Sequence, residues 1–272
     1  MEEYHPKVYW EKRLSARLDI TTVGHLGLGD YNHWLYKARF RAMQRALRKL
    51  PIVVSGKALM DVGVGSGAWI PFWEQSGISK IVGLDITAAS VSFLQKKFPQ
   101  FKFFQGDICS ELFSPQEEAF DIVTVFDVLF HIVDDKDFHR AVFNLSRLVR
   151  KGGWVFMSDG FGNNPYGPFH HEYHRTYQQY MHELSRMGLQ PAHVEPIFFT
   201  MTTPVCASDN KLGQFVSKAI GTMLRMIALI ASHQPLAKLN HLIGFSLYLL
   251  DSILYRVVRT GPSLKILFAY KN

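Results

Sequence analysis

Short apolar runs alternate with helical stretches through the middle of the chain, and this alternation limits the fold more than any other feature. Helical patterns such as 88–98 and 135–149 separate the runs. Strands that alternate with helices predict a parallel sheet covered on both faces. The runs span residues 58–62, 80–85, 101–107, 120–126 and 154–159.

The two ends of the chain complete this pattern. The segment LYKARFRAMQRALRKL repeats apolar residues every three or four positions and stops at Pro51, which predicts an N-terminal helix. A further helix is expected to begin at Thr176 as its N-cap and to stop at Gly188. Residues 193–200 and 263–270 have the composition of a sixth and a final strand. We predict an N-terminal helical lid (1–50), a sheet core (51–204), an apolar helical cap (205–262) and the last core strand (263–272).

The apolar stretch before the last strand is predicted to form two helices, 212–232 and 236–258. A membrane span needs about 18 or more apolar residues with few charges, and polar or charged residues interrupt both helices. We favour a cap over an apolar pocket, with peripheral membrane contact, rather than a span. An internal core or a homodimer face explains the same residues equally well.

Charge is unevenly distributed along the 272 residues, whose net charge is +7. Residues 1–50 carry ten Lys and Arg against five Asp and Glu, and residues 205–272 carry eight against two. Such ends suit an acidic ligand, a phosphate backbone or an anionic membrane, or form a solvated helix face. The chain opens without a secretory signal pattern, and Cys109 and Cys206 show no metal or redox spacing. These features predict a cytoplasmic protein.

The segment LMDVGVGSGAW places a glycine-rich loop directly after the first strand. Glycine allows a backbone to approach a ligand closely, and the N–H groups at a following helix start can bind it. The same letters satisfy the dinucleotide form G-x-G-x-x-A through Gly63, Gly65 and Ala68. The loop alone therefore does not identify its ligand.

Acidic residues follow the next three strands, namely Asp85, Asp107 and Asp127. Because open α/β sheets bind ligands at the carboxyl ends of their strands, these acids and Asp61 are expected at one edge. A carboxylate at Asp85 can accept from two ribose hydroxyls, and one at Asp107 from an exocyclic adenine amine. This edge suits a ligand with cationic groups better than a pyrophosphate.

The segments LMDVGVGSGAW, VGLDI, FQGDI and FDIVTVFDVLFHIVDD occur in that order and spacing. They resemble the successive motifs of class I S-adenosylmethionine-dependent methyltransferases, and KGGWVFMSDG and HRTYQQYMHELSRMGL resemble the segments that follow. The resemblance covers residues 57–200 and the last strand. It implies an α/β, Rossmann-like, seven-stranded, mostly parallel sheet with an antiparallel last strand. It also implies S-adenosyl-L-methionine as cofactor and S-adenosyl-L-homocysteine as product.

The resemblance implies nine cofactor-binding positions. Alternatively, Ile86 and Ile108 are ordinary core residues, and Asp61 is an acid that only holds the loop. The implied contacts are with the methionine part (Asp61, Gly63, Gly65), the ribose (Asp85), the adenine face (Ile86), the adenine edge (Asp107, Ile108) and the sulfonium (Phe126, Asp127).

Three histidines are candidates for catalysis, because a hydroxyl acceptor must lose a proton and a histidine titrates near neutrality. His131 follows Asp127 by four residues and could instead orient the acceptor or bond a backbone group. His171 and His174 lie in FHHEYHRTY and could line the acceptor pocket or face solvent. His170 and His174 would share a metal only on a helix, and no third ligand is evident, so no metal site is predicted.

The N-terminal segment would supply aromatic residues such as Tyr36 for a water-free lid, and Arg39 for a carboxylate. We predict methyl transfer to an oxygen of a small, largely apolar acceptor of natural-product, lipid or quinone type. The alternatives are N- or C-methylation of a small molecule, or cofactor binding without methyl transfer. A nicotinamide oxidoreductase is disfavoured because no Tyr-x-x-x-Lys pair is present. Nucleic acid is not expected as a partner, because FDVLFH stands where an Asn-Pro-Pro-Tyr-type motif would lie.

Overall fold

The computed structural model describes residues 4–16, 18–19, 29–111, 119–205, 215, 218–223, 226, 237–257 and 263–272. The strands are β1 (Ala58–Val62), β2 (Lys80–Asp85), β3 (Lys102–Gln105), β4 (Phe120–Val125), β5 (Val149–Asp159), β6 (Leu189–Pro196) and β7 (Lys265–Lys271). The helices are α1 (Pro6–Ala16), α2 (Tyr31–Leu47), α3 (Ile70–Gln75), α4 (Ala88–Lys97), α5 (Asp135–Leu148), α6 (Tyr177–Arg186) and α7 (Ala237–Val257).

The seven strands form one sheet in the order β3-β2-β1-β4-β5-β7-β6. Strands β1 to β5 pair in parallel, whereas β7 runs antiparallel to both β5 and β6. This arrangement confirms the predicted fold class, including the antiparallel last strand. Because β1 lies between β2 and β4, the strand order reverses beside it, which is where such sheets bind ligands.

Alternate strand residues supply two hydrophobic cores, one on each face of the sheet. Leu59 of β1 and Phe156 of β5 pack on the face covered by α2 and α3. Their neighbours Met60 and Val155 pack on the opposite face, against α5 and α6. This alternation follows from the two-residue period of a strand, and it makes both faces of the sheet buried.

Strands β5 and β6 both begin earlier than predicted, and β5 begins at Val149 rather than at residue 154. The strand predicted at 193–200 is β6, which begins four residues earlier because Gly188, at φ +69°, turns the chain directly after α6. The residues beyond Pro196 leave the sheet, and the Asp251 carboxylate accepts from the backbone N–H groups of Phe199 (2.9 Å) and Thr200 (2.8 Å). The N-cap at Thr176 is confirmed, as its side chain accepts from the N–H of Gln179.

Helix α7 corresponds to the predicted helix 236–258 and packs on α2. A Cβ added at Gly244 would lie 2.6 Å from the Trp34 ring, so the two helices approach closely there. Arg41 of α2 donates to the hydroxyls of Tyr248 (3.2 Å) and Ser252 (2.5 Å). Most of the other predicted helix, 212–232, lies outside the described residues. Within that range, residues 218–223 are described and are helical. No helix in the described part of the chain is long and apolar enough to cross a bilayer.

Candidate active site

A cavity of about 990 Å³ opens at the carboxyl edge of the parallel strands. Its volume lies at the upper end of the range for ligand pockets, which leaves room for a cofactor and an acceptor together. Of the predicted site residues, the cavity is lined by Gly63, Gly65, Asp85, Ile86, Asp107, Ile108, Phe126, Asp127, His131, His171 and His174.

The glycine loop passes directly below the segment that follows β4. Gly63 has φ +72°, and a Cβ there would lie 2.2 Å from Cγ2 of Val128. Its N–H donates to the carbonyl of Leu84 at 2.7 Å, which ties the loop to the end of β2. Only glycine satisfies both the left-handed conformation and this close approach.

Among the predicted residues, Asp61 alone is not part of the described lining of the cavity. It is buried beneath the loop, and Oδ1 accepts from the Thr124 hydroxyl at 2.7 Å. Burial, opposed by the hydrogen bond from Thr124 and reinforced by the neighbouring Asp85, raises the pKa of Asp61 to about 7. This placement puts Asp61 beneath the loop rather than in the described lining of the cavity.

Asp85 ends β2 and faces the cavity, but three donors of the chain already bind its carboxylate. The N–H of Gly65 donates to Oδ2 at 2.8 Å. The N–H and the hydroxyl of Thr87 donate to Oδ1 at 2.9 and 2.7 Å. A carboxylate has about four acceptor positions, so Asp85 retains capacity for about one further donor. Asp85 therefore orders the glycine loop as well as facing the ligand.

The segment after β3 forms a mixed polar and apolar wall. Ile108 is buried, whereas Asp107 is exposed at the rim, and Oδ1 of Asp107 accepts from the N–H of Cys109 at 2.8 Å. Ile86, which is half-buried, lies beside them at the end of β2. The wall therefore presents two aliphatic surfaces and one acceptor group.

Asp127 follows β4 in a left-handed conformation, with φ +57°, which is uncommon for a residue other than glycine. Oδ2 accepts from Nη2 of Arg39 at 2.7 Å, and Oδ1 from the Ser158 hydroxyl at 2.8 Å. Burial alone would raise the pKa of Asp127, but Arg39 and Ser158 outweigh it and lower the pKa below its ordinary value. This ion pair fastens α2 over the cavity.

Helix α1 crosses the mouth of the cavity, from the side that holds Asp85 to the side that holds the histidines. The Glu11 carboxylate accepts from the N–H groups of Ala88 (2.7 Å) and Ala89 (2.9 Å), at the N-terminus of α4. On the same helix, the ring of Trp10 contacts His131 edge-on, with centroids 4.8 Å apart. The helix therefore covers both the Asp85 side and the histidine side.

The three candidate histidines lie together in the cavity wall but in different environments. Nδ1 of His131 donates to the carbonyl of His171 at 2.8 Å, and burial lowers the pKa of His131 to about 3. A base this weak stays neutral and takes up a proton poorly. The His171 ring stacks on Tyr9, with centroids 5.0 Å apart, and burial lowers its pKa as well.

His174 is buried and differs from the other two because a carboxylate orients it. Its Nδ1 donates to Oδ1 of Asp159 at 2.5 Å, and its ring stacks on Phe130. Oδ2 of Asp159 accepts from the Tyr180 hydroxyl at 2.5 Å. Since Nδ1 carries the proton in this arrangement, the lone pair lies on Nε2.

The described residues contain one group of potential metal ligands. Donor atoms of His131, His171 and Glu172 lie within 4.8 Å of one another. Nδ1 of His131 is already bonded, and His170 and His174 do not lie on a common helix. The absence of a metal site remains a prediction.

Sequence reasoning missed Asp159, which ends β5, whereas the other acids lie at or within two residues of the ends of β1 to β4. The same pattern, followed one strand further along WVFMSD, would have found it. The sequence carries no signal for the ion pair between Arg39 and Asp127, because these residues are 88 positions apart.

Comparison with known proteins identifies a methyltransferase domain within this chain. Residues 59–153 match the family described as Methyltransferase domain. The chain is 25% identical over 137 residues to the mRNA cap guanine-N(7) methyltransferase of Schizosaccharomyces pombe, over 46% of this chain and 37% of that protein. It is 29% identical over 110 residues to the ubiquinone biosynthesis O-methyltransferase of Albidiferax ferrireducens, over 39% of this chain and 42% of that protein. The chain therefore spans less than half the length of these two curated relatives.

A solved structure extends the comparison to the fold. Magnesium protoporphyrin IX methyltransferase from Synechocystis PCC 6803, with bound SAM, matches with a TM-score of 0.54 at 12% identity. The match covers 98% of this chain and 92% of that chain. The domain match, the sheet order and the motif set agree, and they are consistent with the class I S-adenosylmethionine-dependent methyltransferase superfamily, whose cofactor is S-adenosyl-L-methionine.

Proposed function

We propose that this chain transfers the methyl group of S-adenosyl-L-methionine to an oxygen of a small, largely apolar acceptor. The observation that carries this proposal is the Asp159–His174 pair in the cavity wall. Such a pair supplies what an oxygen acceptor needs, namely a base whose lone pair is fixed in direction.

The cavity fits the cofactor at its methionine end. Nη1 of Arg39 is buried and has no hydrogen-bond partner in the described part of the chain, and Arg39 lines the cavity. An unpaired buried guanidinium nitrogen is costly, and a carboxylate would satisfy it. Asp61 and Asp127 place negative charge nearby, which favours the cationic ammonium and sulfonium groups.

The remaining contacts follow the family pattern as proposals. Gly63 and Gly65 bring the backbone close to the methionine part, and the remaining acceptor capacity of Asp85 would bind a ribose hydroxyl. The adenine would lie between Ile86 and Ile108, with its amine at Asp107. Phe126 would lie beside the sulfonium. The N-terminal segment 1–50 would act as the lid over this site.

The bound cofactor supplies a methyl group that is electrophilic because its sulfur is positively charged. His174 would accept the proton of the acceptor hydroxyl at Nε2 as that oxygen takes up the methyl group, whose bond to sulfur would break and leave S-adenosyl-L-homocysteine. Asp159 holds the ring and stabilises the positive charge that forms on it. His131 stays neutral because of its low pKa, so we assign it to orienting the acceptor. Helices α1 and α2 exclude water from the reacting atoms.

Two observations support an apolar acceptor. Aromatic side chains form much of the cavity wall beyond the glycine loop, including Tyr9, Trp10, Phe130 and Tyr166. Several curated relatives are named ubiquinone biosynthesis O-methyltransferase, among them the Albidiferax ferrireducens protein at 29% identity. A flat phenolic ring therefore suits the acceptor side of the cavity.

The test is transfer of a radiolabelled methyl group to matched acceptors. The panel contains phenols and catechols with alkyl tails, the corresponding anilines, activated carbon acids and a short capped RNA. We expect label on the hydroxyl compounds, and a loss of about 10²–10⁴ in kcat for His174→Ala. Asp159→Asn should show a similar loss, whereas the exposed His182→Ala serves as a control. Label on the anilines or the RNA, or cofactor binding without any transfer, would contradict the proposal.

A further inference from the structure

The exposure pattern of α7 is inverted relative to that of a water-facing helix. Its polar residues Asn240 and Asp251 are buried, at 2% and 5% exposure. Its apolar residues Leu242, Ile253 and Val257 are exposed, at 60%, 61% and 77%. A helix that docks its polar side on the protein and turns leucine and isoleucine outward has an outer surface suited to an apolar medium.

The exposed apolar residues lie in one stripe. We define the outer face of α7 as Leu242, Leu249, Leu250, Ile253 and Val257. Leu242, Leu249, Ile253 and Val257 are separated by seven, four and four residues, which places them on one side of a helix, and Leu250 lies beside them. The opposite side of the helix is fixed to the rest of the protein, since Asp251 binds the chain after β6 and Tyr248 bonds α2. The outer face is therefore rigidly presented and is not a frayed end.

Charge distinguishes a membrane from a second copy of this chain. The only acid on α7, Asp251, is buried, so no carboxylate of this helix lies at its surface. Arg256 and Lys218 are exposed. Two such surfaces would repel each other in a symmetric dimer, whereas anionic lipid headgroups would attract each of them.

From this combination we propose that the outer face of α7 docks the protein on an anionic membrane surface. The helix has 21 residues, so it is about 31 Å long, and it would lie in the plane of the interface. Its apolar side chains enter the acyl boundary, and the nearby cations bind the headgroups. Docking here leaves the cavity, on the far side of α2, in the protein body.

The experiment is sedimentation of the full chain with large vesicles. One set contains phosphatidylcholine alone, and the other contains phosphatidylcholine with phosphatidylglycerol. We expect binding to the anionic vesicles that weakens with salt. Leu242→Glu and Ile253→Glu should each lower the partition coefficient by about tenfold or more, since each replaces an exposed apolar side chain that the bilayer would bury.

Val53→Glu is the matched control, because Val53 is equally exposed, at 72%, and lies before β1. It should leave the partition coefficient unchanged, and circular dichroism should show all variants folded. Equal binding by all variants would place the contact elsewhere and overturn the proposal. Light scattering on the same samples measures whether a second copy of the chain binds the outer face of α7 instead. A dimer that the glutamate variants dissociate, or a monomer that binds no vesicle, would also overturn it.

Discussion

Replacing Arg39 by methionine would leave the Asp127 carboxylate partly buried without its cation. Removing one partner of a fully buried pair costs about 3–5 kcal/mol. Here the Asp127 side chain is 22% exposed and keeps the Ser158 hydroxyl, so we expect the lower value of about 2–3 kcal/mol. For a chain of this size, that corresponds to a fall in Tm of about 4–12 °C.

The assay is urea unfolding of the wild type, Arg39→Met and a matched surface variant. Arg150→Met removes a partner of Asp121 at 2.6 Å, but the Arg150 side chain is 45% exposed, so its loss should cost less than about 1 kcal/mol. Asp127→Asn in the Arg39→Met background should recover part of the loss, with a coupling of about 0.5–3 kcal/mol.

The pH dependence of this pair has a definite sign. Because the pKa of Asp127 in the folded chain is lowered from 3.8, its stabilising contribution is present above that value and is lost as the pH falls through the folded value. The difference between wild type and Arg39→Met should therefore be full at neutral pH and shrink in acid. A difference below about 0.5 kcal/mol at pH 7, or no coupling in the double variant, would refute the reasoning.

Three further perturbations test other parts of the site. Gly63→Val, whose Cβ would lie 2.2 Å from Val128 Cγ2, should cost about 2 kcal/mol or more in thermal unfolding, and a smaller loss would show that the loop can move. Glu11→Gln weakens the contact between α1 and α4, so stopped-flow should show cofactor dissociating about 2–5 times faster, and an unchanged rate would exclude α1 as the lid. Binding of the cationic cofactor favours ionised Asp61, whose pKa is raised to about 7, so calorimetry should show affinity falling as the pH drops below 7. A pH dependence that persists in Asp61→Asn would assign it to another group.

The sheet and its ligand edge could be predicted because they depend on local patterns. Apolar runs of strand length, the glycine loop after β1 and the Thr176 cap are all encoded within a few residues. Four of the acids at the edge followed directly from their places at strand ends. The start of β6 was misplaced because its first residues include Gln190 and Pro191, and a proline demotes a segment as a predicted strand.

The catalytic assignment needed tertiary structure. The sequence does not distinguish His131, His171 and His174 as candidate bases. Their burial and their hydrogen-bond partners in the structure do. The bond between His174 and Asp159 joins positions 15 residues apart, across a loop without a periodic pattern. The outward apolar face of α7 was unpredictable for a related reason, since hydropathy alone would have assigned Leu242 to the core and Asp251 to the surface.

Binding of S-adenosyl-L-methionine is the measurement that tests the account most directly. Titration calorimetry should show one site per chain, and Asp85→Ala should weaken it by about tenfold or more, because it removes a ligand acceptor and releases the glycine loop. Asp121→Ala is the control, since Asp121 lies in β4 away from the cavity lining and binds Arg150. No binding heat, or equal affinity in wild type and Asp85→Ala, would contradict the assignment of the cavity.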